Sequence, residues 1–325
     1  MRMKVMRNFL VILFVSAFLG LTLNAQVVRN DVIKAFNEGV NAMKTDTPAA
    51  IKAFENSVVL ADQLGQEAAD LKEKAVKVIP GLYVKIALTA LNEKKPAPEV
   101  IKYAKTAAAV AEKYDNATGK DNAAKILLQG YNNMAADYFA GDDYSNALLA
   151  FDSLLTINPD YNSAIYNKAL IYLKQDDADS FEKTIDLYIE KLKSVNDEEK
   201  VNKASTQALE YFRADGSKAI QADKLDEALA LLNKAAKYGD DKDLFYFFAD
   251  LYNKQNNFDS GAEYAQKGLD LETGDEVAKA KFYYQLGVAQ VGKGQTTEAC
   301  ASFKNSMYGP FAEASKAQRT NLKCE

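Results

Sequence analysis

The chain of 325 residues contains no histidine and no tryptophan, only two cysteines, six prolines and sixteen glycines. Without histidine it lacks the commonest general base and the commonest metal ligand together. Cys300 and Cys324 lack the spacing of a zinc site, and no G-x-S-x-G nucleophile elbow occurs. The residues therefore predict a protein that is not an enzyme, with no cofactor and no metal. A basic excess is also missing: 40 Lys and Arg stand against 45 Asp and Glu. Three of those cations, Arg2, Lys4 and Arg7, lie in the first 25 residues, which hold no acid, so the remainder carries a net charge of −8. That balance argues against nucleic acid and anionic lipid, since both need a basic field. The scarcity of Gly and Pro beside abundant Ala, Leu, Lys, Glu and Asp predicts an all-helical chain.

What is present begins with a leader. A basic start is followed by an almost wholly apolar run from Phe9 to Leu23, and Asn24-Ala25 precedes Gln26. This is the layout of a secretory signal peptide over 1–25, cut between Ala25 and Gln26. The run is short for a membrane anchor, and no other apolar run reads as long enough to cross a bilayer. The expectation is a periplasmic or secreted protein with no stable membrane insertion after cleavage. Two cysteines in an exported chain point to a disulfide between Cys300 and Cys324, the alternative being two unconnected thiols.

The body of the chain is organised by a spacing. Tyr131, Met134, Ala135 and Tyr138 lie three and four apart on one face of a helix. Gly141-Asp142-Asp143 interrupts it, and Ala147, Phe151 and Leu154 mark a second helix that Asn158-Pro159 ends. The pattern returns at Phe212, Gly216, Ala219, Ala228, Leu232 and Ala235. It returns again at Phe245, Phe248, Ala249, Tyr252, Gly261 and Ala265, and at Tyr283, Leu286, Gly287, Ala299 and Phe303. Weaker copies centre on Gly39 with Phe54, Ala87 with Tyr103, and Ala169 with Phe181 and Ile185. The small residue lets the two helix backbones of a pair approach closely.

These residues resemble the tetratricopeptide repeat, W-x2-L-G-x2-Y, then A-x3-F, then P. The resemblance implies an all-α solenoid of about seven helical hairpins, around 32–64, 66–114, 121–159, 162–193, 198–238, 242–271 and 275–308. Residues 309–325 would form a C-terminal capping helix and tail. The links Leu60–Ile79, Val110–Leu127 and Ser194–Ala208 are long and read as extended helices. The mature chain resembles secreted Gram-negative bacterial members of the family, which implies a scaffold that holds a protein or peptide segment beside a cell-envelope complex. Carrying the family's inward-facing positions across places Asn132, Tyr166, Arg213, Tyr246, Asp250, Asn253, Lys254 and Tyr284 toward a concave groove. The Lys and Asn pairs that clamp a C-terminal carboxylate in one subclass are not reproduced. The competing function is a carbohydrate- or peptidoglycan-associated envelope protein that uses the same tyrosines.

Two motifs suggest other chemistry and are better explained by the hairpins. Gly287 to Gly294 has a G-x-x-x-x-G-K skeleton, but Gly294 replaces the required Ser or Thr and no strand precedes it. Asp240-Asp241-Lys242-Asp243 lacks the glycine and closing glutamate of an EF-hand loop. This pair and the other acidic pairs fall at predicted turns or helix starts, where carboxylates favour the helix N-terminus.

Overall fold

The computed structural model describes residues 27–325, so the leader read over 1–25 lies outside the described residues. Among the described residues there are fifteen α-helices and no strand. Seven pairs follow one another: α1 (Arg29–Ala42) with α2 (Thr47–Leu64), α3 (Ala69–Asn92) with α4 (Ala97–Lys113), and α5 (Ala117–Ala140) with α6 (Tyr144–Ile157). Next come α7 (Asn162–Lys174) with α8 (Ala178–Ser194), α9 (Glu198–Gln221) with α10 (Leu225–Ala236), and α11 (Lys242–Lys254) with α12 (Phe258–Leu271). The last pair is α13 (Glu276–Gly292) with α14 (Thr296–Asn305), followed by a 3-10 turn at Gly309–Phe311 and α15 (Ala312–Asn321). The described residues divide into two compact units, 27–130 and 131–325, with the boundary inside α5.

The pairing follows from the small residue of each first helix. Gly39 lies against the fully buried Phe54, and a Cβ there would stand 2.9 Å from three ring atoms. Gly216 faces Leu232 and Gly287 faces Phe303 in the same way, at 2.6 and 2.8 Å. From Ala87 to Gly287 the small residue is always five residues from the end of its helix, and its counterpart in the second helix lies sixteen residues on. Where the counterpart is itself small, at Ala265, aromatic rings fill the space. The Tyr264 ring stacks 4.7 Å from that of Phe248 and 5.6 Å from that of Tyr252. Burying one such ring contributes roughly 1.5–3 kcal/mol.

The turns are equally regular. Lys94, Asp115, Asp142, Asp176, Asn196, Asp223, Asn256 and Gly294 all have positive φ, and the next residue's N–H reaches back five residues to a helix carbonyl. Asp143 N donates to Tyr138 O at 2.9 Å, and Asn257 N to Tyr252 O at 2.8 Å. This is a Schellman closure, which satisfies carbonyls left over at the helix end. In several turns the same residue then caps the following helix: Asp143 accepts from Asn146 N at 3.2 Å, Asp177 from Ser180 N at 3.1 Å, and Asn257 from Ser260 N at 3.3 Å.

Two expectations need correction. The long links are not unbroken helices: Gly65 at φ +62°, Asp115 at +48° and Asn196 at +56° each turn the chain. Their extra length instead extends the first helices at their N-termini, so that α3, α5 and α9 have 24 residues where α7 and α11 have 13. Gly, Asp and Asn tolerate the left-handed conformation, and the surrounding Ala, Lys and Glu conceal the stop. The second concerns apolar runs. Residues 47–92 do pass as long and apolar enough to cross a membrane by length and composition. In the fold, Gly65 divides them into α2 and α3, whose Phe54, Val58, Ala75 and Ile79 form a shared core.

The C-terminal helix closes the last pair. Cys300 and Cys324 are bonded, with their Cα atoms 5.6 Å apart. Little apolar surface holds α15: its one buried residue is Ser315, whose Oγ lies 2.6 Å from Ser306 Oγ. Arg319 donates to the Cys300 carbonyl at 2.6 Å.

Candidate interaction face on the first helices

In the unit from 131 to 325, α11 packs against both α9 and α13, which brings three first helices side by side. Their mutually facing side chains form a polar seam. Arg213 on α9 pairs with Asp241, the residue that caps α11, and approaches Asp243 at 4.0 Å. Asp243 also pairs with Lys281 on α13. The Lys281 ammonium lies 5.4 Å from the centre of the Tyr246 ring and 4.9 Å from that of Phe282, within reach of cation–π attraction. Tyr246 meets Phe282 edge to face at 6.2 Å.

One helical turn on, Gln285 links the two helices. Asn253 Nδ2 donates to the Gln285 carbonyl and to its Oε1, both at 2.9 Å, and Gln285 Nε2 donates to Asp250 Oδ1 at 3.0 Å. Burial pushes the Asp250 carboxyl up from its ordinary value, against the Gln285 hydrogen bond and the charge of Lys254. Burial, then the Asp250 charge, likewise raises the Tyr246 hydroxyl. Toward α7, the Tyr166 hydroxyl donates to Gln207 Oε1 at 2.9 Å, and its ring lies 5.0 Å from that of Tyr188.

The eight residues assigned to a groove by resemblance thus divide. Tyr246, Asp250 and Arg213 converge on the seam, and Lys254 is exposed beside it. Tyr166 sits half-buried on α7, and Asn132 half-buried on α5. Asn253 is only 6% exposed and ties α11 to α13, so it presents nothing to a groove. Gly261 makes this possible, because a Cβ there would collide with Asn253 Oδ1. Tyr284 packs toward the cap, 5.7 Å from Phe303 and 5.3 Å from Phe311. Sequence reading missed Asp243, Lys281, Gln285 and Gln207. A signal existed for the first two: each lies six residues before the small residue of its helix, with opposite charges in consecutive hairpins.

A separate cleft of about 370 Å³ lies at the turn edge between α7–α8 and α9–α10, lined by Asp176, Tyr211, Asp215, Lys218, Lys224 and Glu227 among others. Its polar groups are matched to one another: Tyr211 donates to Asp176 at 3.1 Å and Lys218 pairs with Asp215 at 2.7 Å. Among the described residues no group of three or more metal-ligating side chains converges. The phosphate-loop skeleton is accounted for by Gly287 under Phe303 and by Gly294 at φ +74° in the turn.

No protein-family model matches the sequence, and neither does any curated protein. Solved structures do align with it. A tetratricopeptide repeat protein from Parabacteroides merdae is 18% identical over 90% of this chain and 99% of its own, with a TM-score of 0.28. YrrB, a tetratricopeptide repeat protein described as having an unusual peptide-binding site, is 15% identical over 60% of this chain and 90% of its own, at 0.33. MamA from Desulfovibrio magneticus is 18% identical over 58% of this chain and 97% of its own, at 0.32. Superpositions at these scores carry no argument alone. The repeated small-to-large contact, the shared turn and the closing helix do, and they make the fold tetratricopeptide-type within each unit: successive helical hairpins, with a C-terminal cap on the second unit.

Proposed function

We propose that this protein is an exported interaction scaffold whose first-helix face on α7, α9, α11 and α13 receives a protein or peptide segment. The observation that carries the reading is the seam itself. Rings and charges from successive hairpins meet on one face while remaining half-buried, which gives a partner a preordered surface of large contact area with few rotors to freeze. The basic and apolar leader over 1–25 supports export to the periplasm or beyond, where the fold would assist a cell-envelope assembly.

A photo-reactive amino acid placed at Lys254, and separately at Leu149 on the second helix α6, tests the face in living cells. The expected result is a discrete adduct from position 254 alone, lost when Tyr246→Ala is added while circular dichroism stays helical. Equal adducts from both positions would refute the assignment. Pelleting of purified protein with cell-wall sacculi, unaffected by Tyr166→Ala and Tyr246→Ala, would favour wall association through another surface. A fusion of residues 1–30 to a reporter active only after export tests the leader separately.

A further inference from the structure

Asp250 stands apart from the other acids of the seam. Asp241 and Asp243 are matched by Arg213 and Lys281, and these two cations are thereby occupied. Among the described residues Asp250 makes no ion pair, and Lys254, one turn along the same helix, lies outside ion-pair distance of it. Its hydrogen-bond donor is the neutral Gln285 amide. That amide cannot rotate away freely, because Asn253 Nδ2, buried beneath, holds Gln285 Oε1 from the other side. The carboxylate is therefore held in place and half-buried, with no cation in ion-pair contact, one helical turn along α11 from Tyr246. A desolvated carboxylate without a cation is unfavourable, and an arriving cation removes the penalty.

We infer that the first-helix face is selective for a segment bearing a lysine or arginine side chain, whose cationic head docks on Asp250 between Tyr246 and Gln285. The inference rests on the face being the binding surface and adds to it the chemistry of the partner. The opposite preference, for an acidic segment, would bring like charge against a carboxylate already short of solvent. An apolar segment would strip further water from that carboxylate while leaving it only the neutral Gln285 amide.

The test uses the purified chain with its disulfide intact and a phage-displayed library of random dodecapeptides as probe. Selection on the wild type should enrich sequences with Lys or Arg at one fixed position, and selection on Asp250→Asn should lose that preference. One enriched peptide is then synthesised with a fluorescein label, alongside a copy carrying norleucine at the basic position. Anisotropy titration should show that Asp250→Asn and the norleucine change each weaken binding about tenfold or more, while together they weaken it little further. Asparagine keeps the shape and the bond to Gln285, and circular dichroism of the variant checks its folding. Enriched peptides that depend on Tyr246 but carry no fixed basic position would overturn the inference and leave the face standing. The same holds if Asp250→Asn selects the same basic motif. Absence of any enrichment that Tyr246→Ala abolishes would overturn the face, and the inference with it.

Discussion

Replacing Gly287 by alanine sets two effects of known sign against each other. Alanine in a helix interior is favoured over glycine by about 0.8–1 kcal/mol. At Gly287, however, the new methyl would stand 2.8–3.0 Å from three atoms of the Phe303 ring. That ring is fully buried and held from another side by Tyr284, so it has little room to retreat. Forcing a methyl into a packed core costs about 1–3 kcal/mol, which leaves a net loss of about 1 kcal/mol. Gly81, exposed in α3, is the control: a Cβ there meets nothing within 4 Å, so the same change should stabilise by about 0.5–1 kcal/mol. A repeat array need not unfold in one step, so the measurement is hydrogen exchange resolved by segment. Amides of α13 and α14 should lose protection about fivefold in Gly287→Ala, while those of α3 gain it in Gly81→Ala. Adding Phe303→Ala, which gives position 287 the small counterpart that Ala249 has in Ala265, should remove the clash, a coupling of about 1–3 kcal/mol. Gly287→Ala stabilising its hairpin as Gly81→Ala does would refute the packing account of the repeat.

Two further predictions concern the cap and the acid limb of stability. Reducing the Cys300–Cys324 bond, or replacing both residues by serine, should release α15 ahead of the rest, since polar contacts supply most of its other docking. Loop-closure entropy for this separation is worth about 3 kcal/mol, and unchanged exchange across 312–321 after reduction would refute it. Glu182 accepts from Lys234 on α10 and from Lys237 just beyond its end; burial raises its pKa, but the two lysines outweigh that and hold it below its ordinary 4.5. A lowered folded pKa gives stability that is present above about pH 4.5 and lost as pH falls through the folded value. Glu182→Gln should therefore cost about 1 kcal/mol at pH 7 and progressively less below pH 4.5, read by urea denaturation at each pH; a cost independent of pH would show that the charge is not responsible.

The hairpins were legible because their determinants are local and repeated. Gly216 and Leu232, or Gly287 and Phe303, announce a contact by spacing alone. The stops at Asp115 and Asn196 were hidden, since a left-handed residue in an Ala- and Lys-rich stretch has no hydrophobic signature. The candidate face was only partly legible. Tyr246 and Asp250 could be placed by helical phase, but whether Asn253 pointed outward or inward depended on Gly261, in the other helix of its pair. The surroundings of Tyr284 were hidden for a similar reason: its neighbours Phe303 and Phe311 belong to the last hairpin and the turn into the cap.

The eleven residues by which α9 exceeds α11 carry a geometrical consequence. At 3.6 residues per turn they make about three full revolutions, so the start of α9 returns to within about 20° of the azimuth a short helix would give it. It is displaced only along the axis, by about 16 Å. The joint at Asn196 therefore meets the preceding pair in nearly the same rotational phase as a compact repeat would. Insertions of four, seven or eleven residues would be tolerated at such a joint. An insertion of two would swing it by about 160°, onto the opposite side of the helix.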